Sequence, residues 1–369
     1  MPRLGIYFHR LSGAGGAERM ACGLANALAA RGNRVSLVSW DAPDYQPFHT
    51  VSEDVTRCPM GFRPGIQDKA RRLFALARLL RRERVRILIG FVMSGDRTVF
   101  AAARMAGVRL VAAERNAPSM YRWRHTALQR RQCFALLRLA DRVAVQFEDF
   151  AEGYPAVLRD RIAAIPNPVS LAGRSASPGT AHAARRYTLL AAGRLDETQK
   201  RLTCLVDAFA RIAHRHRAWN LEIVGDGPDG SSLAECIAGY GLGERVHLSP
   251  ARPEIADSYA ASHLFAIPSR WEGFPNALAE AMAHGLPAVG FAAADGVRHL
   301  IEDGATGWLA PGIDDPAALA ATLDRAMGDS AERVRRGARA ARAMRAYPPD
   351  AQYDKWQALI DDLAGAERP

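Results

Sequence analysis

The sequence predicts an α/β fold built of two doubly wound, parallel-sheet domains facing each other across a cleft. Three observations carry this: short continuous apolar runs, helical periods between them, and a small polar interruption midway. In the first half the runs are 4–8, 35–39, 87–91, 110–113, 142–145 and 162–165; in the second they are 187–192, 221–224, 246–248, 264–267, 288–291 and 308–310. Most lack polar alternation, as parallel strands covered on both faces do. Between them lie helical periods, such as Leu73, Leu76, Ala77 and Leu80 on one face with arginines opposite. Strand–helix alternation of this kind defines the α/β class.

The two sets of strands meet at a small, Gly/Pro-containing stretch that reads as a linker. The expected organisation is a first domain over 1–170, a linker over 171–185 and a second domain over 186–345. The tail, 346–369, puts Tyr353, Trp356, Ile360 and Leu363 on one helical face and is expected to pack back on the first domain.

A chain of 369 residues with 49% hydrophobic residues is long enough for two such cores. No apolar run reaches the ~18 residues of a membrane span, and the N-terminus lacks the apolar stretch of a signal peptide. Cys22, Cys58, Cys133, Cys204 and Cys236 form no C-x-x-C pair, which suggests reduced thiols in a cytoplasmic setting and no structural zinc. Formal charge is +10, held unevenly: residues 1–170 carry 27 Lys+Arg against 14 Asp+Glu. Such a half suits an anionic partner, although an arginine-rich proteome would give the same excess. Nucleic acid is not expected, because no recognised motif or array of stacking aromatics accompanies the arginines.

The stretch LEIVGDGPDG places Gly225, Gly227 and Gly230 as G-x-G-x-x-G. It fails as a dinucleotide fingerprint. It follows the second strand of its domain, and no acid stands at the end of the next strand to hold a ribose. Gly225 and Gly227 are better explained by a tight turn beside a bound ligand.

Residues 269–287, SRWEGFPNALAEAMAHGLP, follow a strand and open a helix near Pro275 that ends by Gly285. Its free N–H groups make an anion site. Glu272 precedes that helix and Glu280 lies roughly 12 Å further on if the path is helical. Carboxylates so spaced suit the two sugar ends of a nucleotide sugar, with the diphosphate between. On spacing alone, a solvated helical glutamate explains Glu280 equally well. In AAGRLDETQKRL, Arg194 follows a strand and Lys200 is expected to open the next helix. Two cations there would neutralise a diphosphate without a metal.

Taken together, SGAGGAER (12–19), IPNPV (165–169), AAGRL…K, VGDGP, EGFPNALAEAMAHGLP and LIEDGATGWLAP (300–311) resemble retaining glycosyltransferase family 4, with its GT-B fold of two Rossmann-like domains. The resemblance implies that Arg194 and Lys200 bind the donor diphosphate, Glu272 holds the transferred sugar and Glu280 the ribose. Backbone amides over Gly273, Phe274, Asn276 and Ala277 would touch sugar and phosphate, with Pro275 lacking an N–H. Gly13, Gly15 and Gly16 would let the first loop approach the phosphates, Gly225 would line the site, and Arg252 to Ile255 would receive the base. The loop after the fourth strand reads Glu114-Arg115-Asn116 where many members have a histidine. That resembles a subset acting on lipid-diphosphate-linked or exopolysaccharide acceptors, with Arg115 and Asn116 as candidate catalytic residues.

The implied activity is transfer of a hexosyl or N-acetylhexosaminyl group from a nucleotide sugar, UDP preferred, with no cofactor and no metal. Acceptors would be saccharides or lipid-linked saccharides. The stretch 121–138, with Arg122, Arg124, Arg130 and Arg131, reads as an Arg-rich helix with an apolar face and suits an anionic membrane surface. The expected location is cytoplasmic, peripheral to the inner face of the membrane. A GT-B-like sugar-nucleotide epimerase would share the fold and the diphosphate site.

Overall fold

A computed structural model describes residues 2–13, 15–62, 68–91, 96–181, 186–252 and 255–366. Part of the expected linker (182–185) and part of the expected base-contacting segment (253–254) lie outside the described residues. The chain divides into two compact units: Met1–Asn167 with Asp350–Pro369, and Pro168–Pro349. The first division falls at Asn167, a few residues earlier than the expected end of the first domain.

The first unit carries a seven-stranded sheet: β1 (Arg3–Tyr7), β2 (Arg34–Ser39), β3 (Val55–Pro59), β4 (Ile87–Phe91), β5 (Arg109–Ala113), β6 (Arg142–Val145) and β7 (Ile162–Ala164). Their order is β3-β2-β1-β4-β5-β6-β7, and every pair is parallel. β3 has no counterpart among the expected strands. Its sequence, VTRCP, is not an apolar run, because as an edge strand it exposes Thr56 and Arg57 and buries only Val55 and Cys58.

The C-terminal helix Pro349–Gly365 belongs to this unit, and Trp356, Ile360 and Leu363 enter the core cluster with Leu4, Ile6, Leu28 and Phe91. Polar clamps surround that apolar stripe. Arg31 and Arg142 pair with Asp354 and Asp362 at 2.9 and 2.7 Å. Arg109 donates to the Leu363 and Ala366 carbonyls at the helix C-terminus, where cations are favoured.

The Arg-rich stretch 121–138 is not one helix. Met120–Arg124 and Ala127–Leu137 are separated by the extended His125, and Thr126 opens the second with a capping box to Gln129. Its apolar residues are also divided: Tyr121, Cys133 and Leu137 are buried, whereas Trp123 and Leu128 are 44% and 66% exposed.

The second unit carries β8 (Tyr187–Ala192), β9 (Trp219–Val224), β10 (Val246–Ser249), β11 (Leu264–Ile267), β12 (Ala288–Phe291) and β13 (Gly307–Ala310), parallel in the order β10-β9-β8-β11-β12-β13. Its chain order reverses between β8 and β11, and ligands of doubly wound sheets bind at such a reversal, beyond the strands' carboxyl ends. A buried arginine stiffens the unit elsewhere. Arg333 is 1% exposed, lies against the stacked Tyr187 and Trp219 rings, and donates to the Pro178, Ala326 and Met327 carbonyls.

Candidate active site

A pocket opens where the second sheet reverses, lined by Gly193, Arg194, Lys200, Leu202, Pro268 and Ser269 among others. Arg194 follows β8 directly. Lys200 does not open a helix as expected: it ends a turn, Arg201 caps, and the helix runs Leu202–Ile212. The turn exists because Asp196 accepts from the backbone of Gln199 and Lys200 and, through its carboxylate, from Thr198. Gly193 sits at φ +154°, a conformation L side chains rarely adopt, and the Lys200 stem packs over it.

Glu272 is the centre of the arrangement. Its Oε1 accepts from Lys200 Nζ at 2.6 Å and from Ser269 Oγ at 2.7 Å, and Gln199 Nε2 reaches Oε2 at 3.4 Å. Its backbone N–H donates to the Asp295 carbonyl in the loop after β12. The carboxylate is nearly buried, at 8% side-chain exposure, and Lys200 is at 21%. A buried carboxylate is tolerated because it is paired and hydrogen-bonded. Ser269, Gln199 and Asp295 were not expected; the signal was Ser269, three residues ahead of Glu272 in a turn and able to reach back.

The following helix is Asn276–Ala283, with Pro275 just ahead as its cap rather than in its first turn, and Asn276 and Ala277 half-buried. Gly273 and Phe274 are buried, and the Phe274 ring meets Tyr347 edge-on at 5.1 Å. Glu280 is half-buried, and Tyr259 donates to its Oε2 at 3.1 Å. Tyr259, 1% exposed and packed on Phe265 and His284, is a residue the sequence reading missed. It lies on the short helix Ala256–Ala260, directly after Ile255. Arg252 is paired with Glu222 at 2.8 Å.

The glycine-rich segments make close approaches within the protein itself. A side chain at Gly225 would stand 1.9 Å from the Gly193 carbonyl oxygen, and one at Gly227 would meet the Leu195 backbone. They let the loops after β8 and β9 touch, which positions Arg194; the close approach is to protein backbone. Gly15 caps the helix Gly16–Ala30, and side chains at Gly13 or Gly15 would collide with the Glu18 carboxylate, which folds back over the loop.

In the first unit, Glu114 is buried and accepts from Tyr121 at 2.7 Å. Arg115 lies over the Phe91 and Trp356 rings at 5.8 and 5.9 Å and donates to Asn167, while its Nε and Nη1 are buried without a hydrogen-bond partner. Burial lowers its pKa to about 10. Arg115 thus packs on Phe91 of β4 and Trp356 of the C-terminal helix, and Asn116 beside it is half-buried.

Among the described residues, no group of three or more His, Cys, Asp or Glu is placed to hold a metal. No described helix is long and apolar enough to cross a membrane.

Comparison with known proteins shows the family and the fold. The family model described as Glycosyltransferase Family 4 matches residues 14–172, and that described as Glycosyl transferases group 1 matches 186–329. An uncharacterised glycosyltransferase of Haemophilus influenzae is 24% identical over 84% of this chain and 86% of its own. An exopolysaccharide phosphotransferase of Streptomyces coelicolor is 33% identical over 55% of this chain, a match spanning only 21% of that protein. The fold matches Anabaena HepE, solved in complex with UDP and glucose, at a TM-score of 0.78 over 98% of this chain and 100% of that one, with 17% identity. The chain has the GT-B fold, is a glycosyltransferase, and belongs to glycosyltransferase family 4.

Proposed function

We propose that the protein transfers a hexosyl or N-acetylhexosaminyl group, with retention, from a UDP-sugar to a saccharide or lipid-diphosphate-linked saccharide. The observation that carries this reading is the meeting of Arg194, Lys200 and Glu272 where the second sheet reverses. Charge builds on the departing diphosphate as the glycosyl–phosphate bond breaks, so donors placed beforehand around those oxygens lower the barrier. Arg194, Lys200 and the N-terminus of the helix Asn276–Ala283 supply them, and no metal is invoked. Glu272 orients the transferred sugar, and Glu280 takes the ribose hydroxyls. A UDP donor is supported by the UDP in the HepE structure, and a surface-polysaccharide setting by the Streptomyces relative.

The exposed Trp123 and Leu128 stand among exposed Arg122, Arg124 and Arg131. Apolar side chains ringed by arginines suit the face of an anionic bilayer, so we place the enzyme peripherally on the cytoplasmic leaflet. The test is a donor screen for released nucleoside diphosphate, with and without acceptor. Transfer supports the reading; isomerisation without an acceptor indicates an epimerase; no turnover of any nucleotide sugar overturns it.

A further inference from the structure

Two residues flanking the pocket hold backbone conformations that L residues rarely adopt. Among the described residues, the only non-glycine residues at positive φ are Arg84, Arg201 and Asp314, at 52°, 53° and 58°. Two of these three are partners: Arg201 Nε lies 2.8 Å from Asp314 Oδ1. The other oxygen of Asp314 accepts from Arg270 Nε. All three side chains are largely shielded, at 25%, 19% and 22% exposure.

The positions of the two arginines give the pairing its meaning. Arg201 directly follows Lys200, and Arg270 lies two residues before Glu272. Arg270 also donates through its side chain to the Thr198 carbonyl at 3.2 Å and through its backbone to the Gln199 carbonyl at 2.8 Å. Glu197 completes the set, accepting from Arg201 at 3.4 Å and from Thr203 N and Oγ1 at 2.9 and 2.6 Å. One carboxylate, in the loop after β13, thus grips both segments whose tips form the Lys200–Glu272 pair.

A left-handed conformation is costly for a residue with a Cβ and persists only where its surroundings over-determine it. Glycine would adopt either position without strain. At Arg201 that strain, held by an ion pair beside a reaction site, is the pattern of enforced geometry, and Asp314, like an asparagine, adopts the region at lower cost.

We infer that Asp314 is a positioning residue for glycosyl transfer. Acting through Arg201 and Arg270, it sets the separation and orientation of Lys200 and Glu272. The inference rests on the donor-site reading above. A cation displaced from the leaving phosphate loses transition-state stabilisation, while Arg194 and the helix N-terminus still hold the ground-state diphosphate. The loss belongs in kcat more than in binding.

The test compares the full-length wild type with Asp314→Asn and with the double variant Arg201→Gly/Asp314→Gly. Asparagine tolerates the left-handed region, so Asp314→Asn removes charge without adding strain. The double glycine relieves the strain at both positions and removes the link. Readouts are the melting temperature, UDP affinity by calorimetry, and kcat and KM for UDP release from UDP-glucose, UDP-galactose and UDP-N-acetylglucosamine. The expectation is a kcat lowered about tenfold or more in both variants, UDP affinity within about twofold of wild type, and a folded double variant. Wild-type kcat in the variants overturns the role of Asp314 alone, and so does a kcat loss matched by an equal loss of UDP affinity. If the double variant does not fold, Asp314→Asn decides by the same measures. A wild type that releases UDP from none of the donors overturns this inference together with the proposed function.

Discussion

Lys200 Nζ lies 2.6 Å from Glu272 Oε1, joining the loop after β8 to the loop after β11 across the reversal of the second sheet. The lysine has three donors, so it can keep this partner and still meet a phosphate oxygen. On the proposed reading, the pair aligns the charge for the leaving group with the carboxylate that orients the sugar.

Lys200→Ala and Arg194→Ala are each expected to lower kcat on the order of 10²-fold, as for loss of one preorganised charge donor. Lys200→Ala also leaves the nearly buried Glu272 without its cation, so it should destabilise the second unit by roughly 2 kcal/mol more than Arg194→Ala does. Steady-state release of nucleoside diphosphate together with thermal melting checks both. Near-wild-type turnover in both variants would remove these residues from the mechanism.

Tyr259→Phe deletes the hydroxyl that donates to Glu280 Oε2 and keeps the ring packed on Phe265 and His284. We expect KM for the donor to rise about three- to tenfold with kcat little changed, since one hydrogen bond to a charged group is worth about 1.5 kcal/mol. The same variant should discriminate less between UDP and its 2′-deoxy analogue. Unaltered discrimination would separate Glu280 from the ribose.

Arg333→Ala should destabilise the second unit on the order of 3 kcal/mol, because three carbonyls lose their donor and two stacked aromatic rings lose the cation beside them. Arg333→Lys should recover little of this, as one ammonium cannot span that fork. Denaturant titration with a probe in the second unit provides the measurement.

Stability should fall above about pH 9. Burial, aided by Glu18, raises the Cys22 thiol from 9.0 to about 11, and burial raises Cys204 from 9.0 to about 12. Both stay protonated in the folded state while the unfolded chain ionises first. Their contribution is therefore complete below pH 9 and is lost as pH rises through about 11 and about 12. Melting between about pH 8 and about pH 11 should show the decline, and a Cys22→Ala/Cys204→Ala variant should show a shallower one. An equal slope would assign the alkaline loss to other groups.

The sequence by itself determined the α/β class, eleven of the twelve expected runs within a residue or so of the strand bounds, the break near the middle, and the residues at the second sheet's reversal. These were legible because they depend on local properties: continuous apolar runs, 3.6-residue periods, and glycine or proline beside them. The twelfth run, 221–224, was legible too, although its strand begins two residues earlier, at Trp219. The edge strand β3 was not, since half its side chains face solvent and no apolar run marks it. Only the tertiary structure decided that Gly225 serves a backbone joint, that Arg115 faces Trp356, and that Tyr259 and Asp314 stand behind Glu280 and Lys200. Each of those facts joins residues far apart in the chain, such as Arg201 with Asp314 and Arg115 with Trp356. Which side chain a buried charge will meet depends on how loops stack beyond a sheet, and no spacing along one segment encodes that.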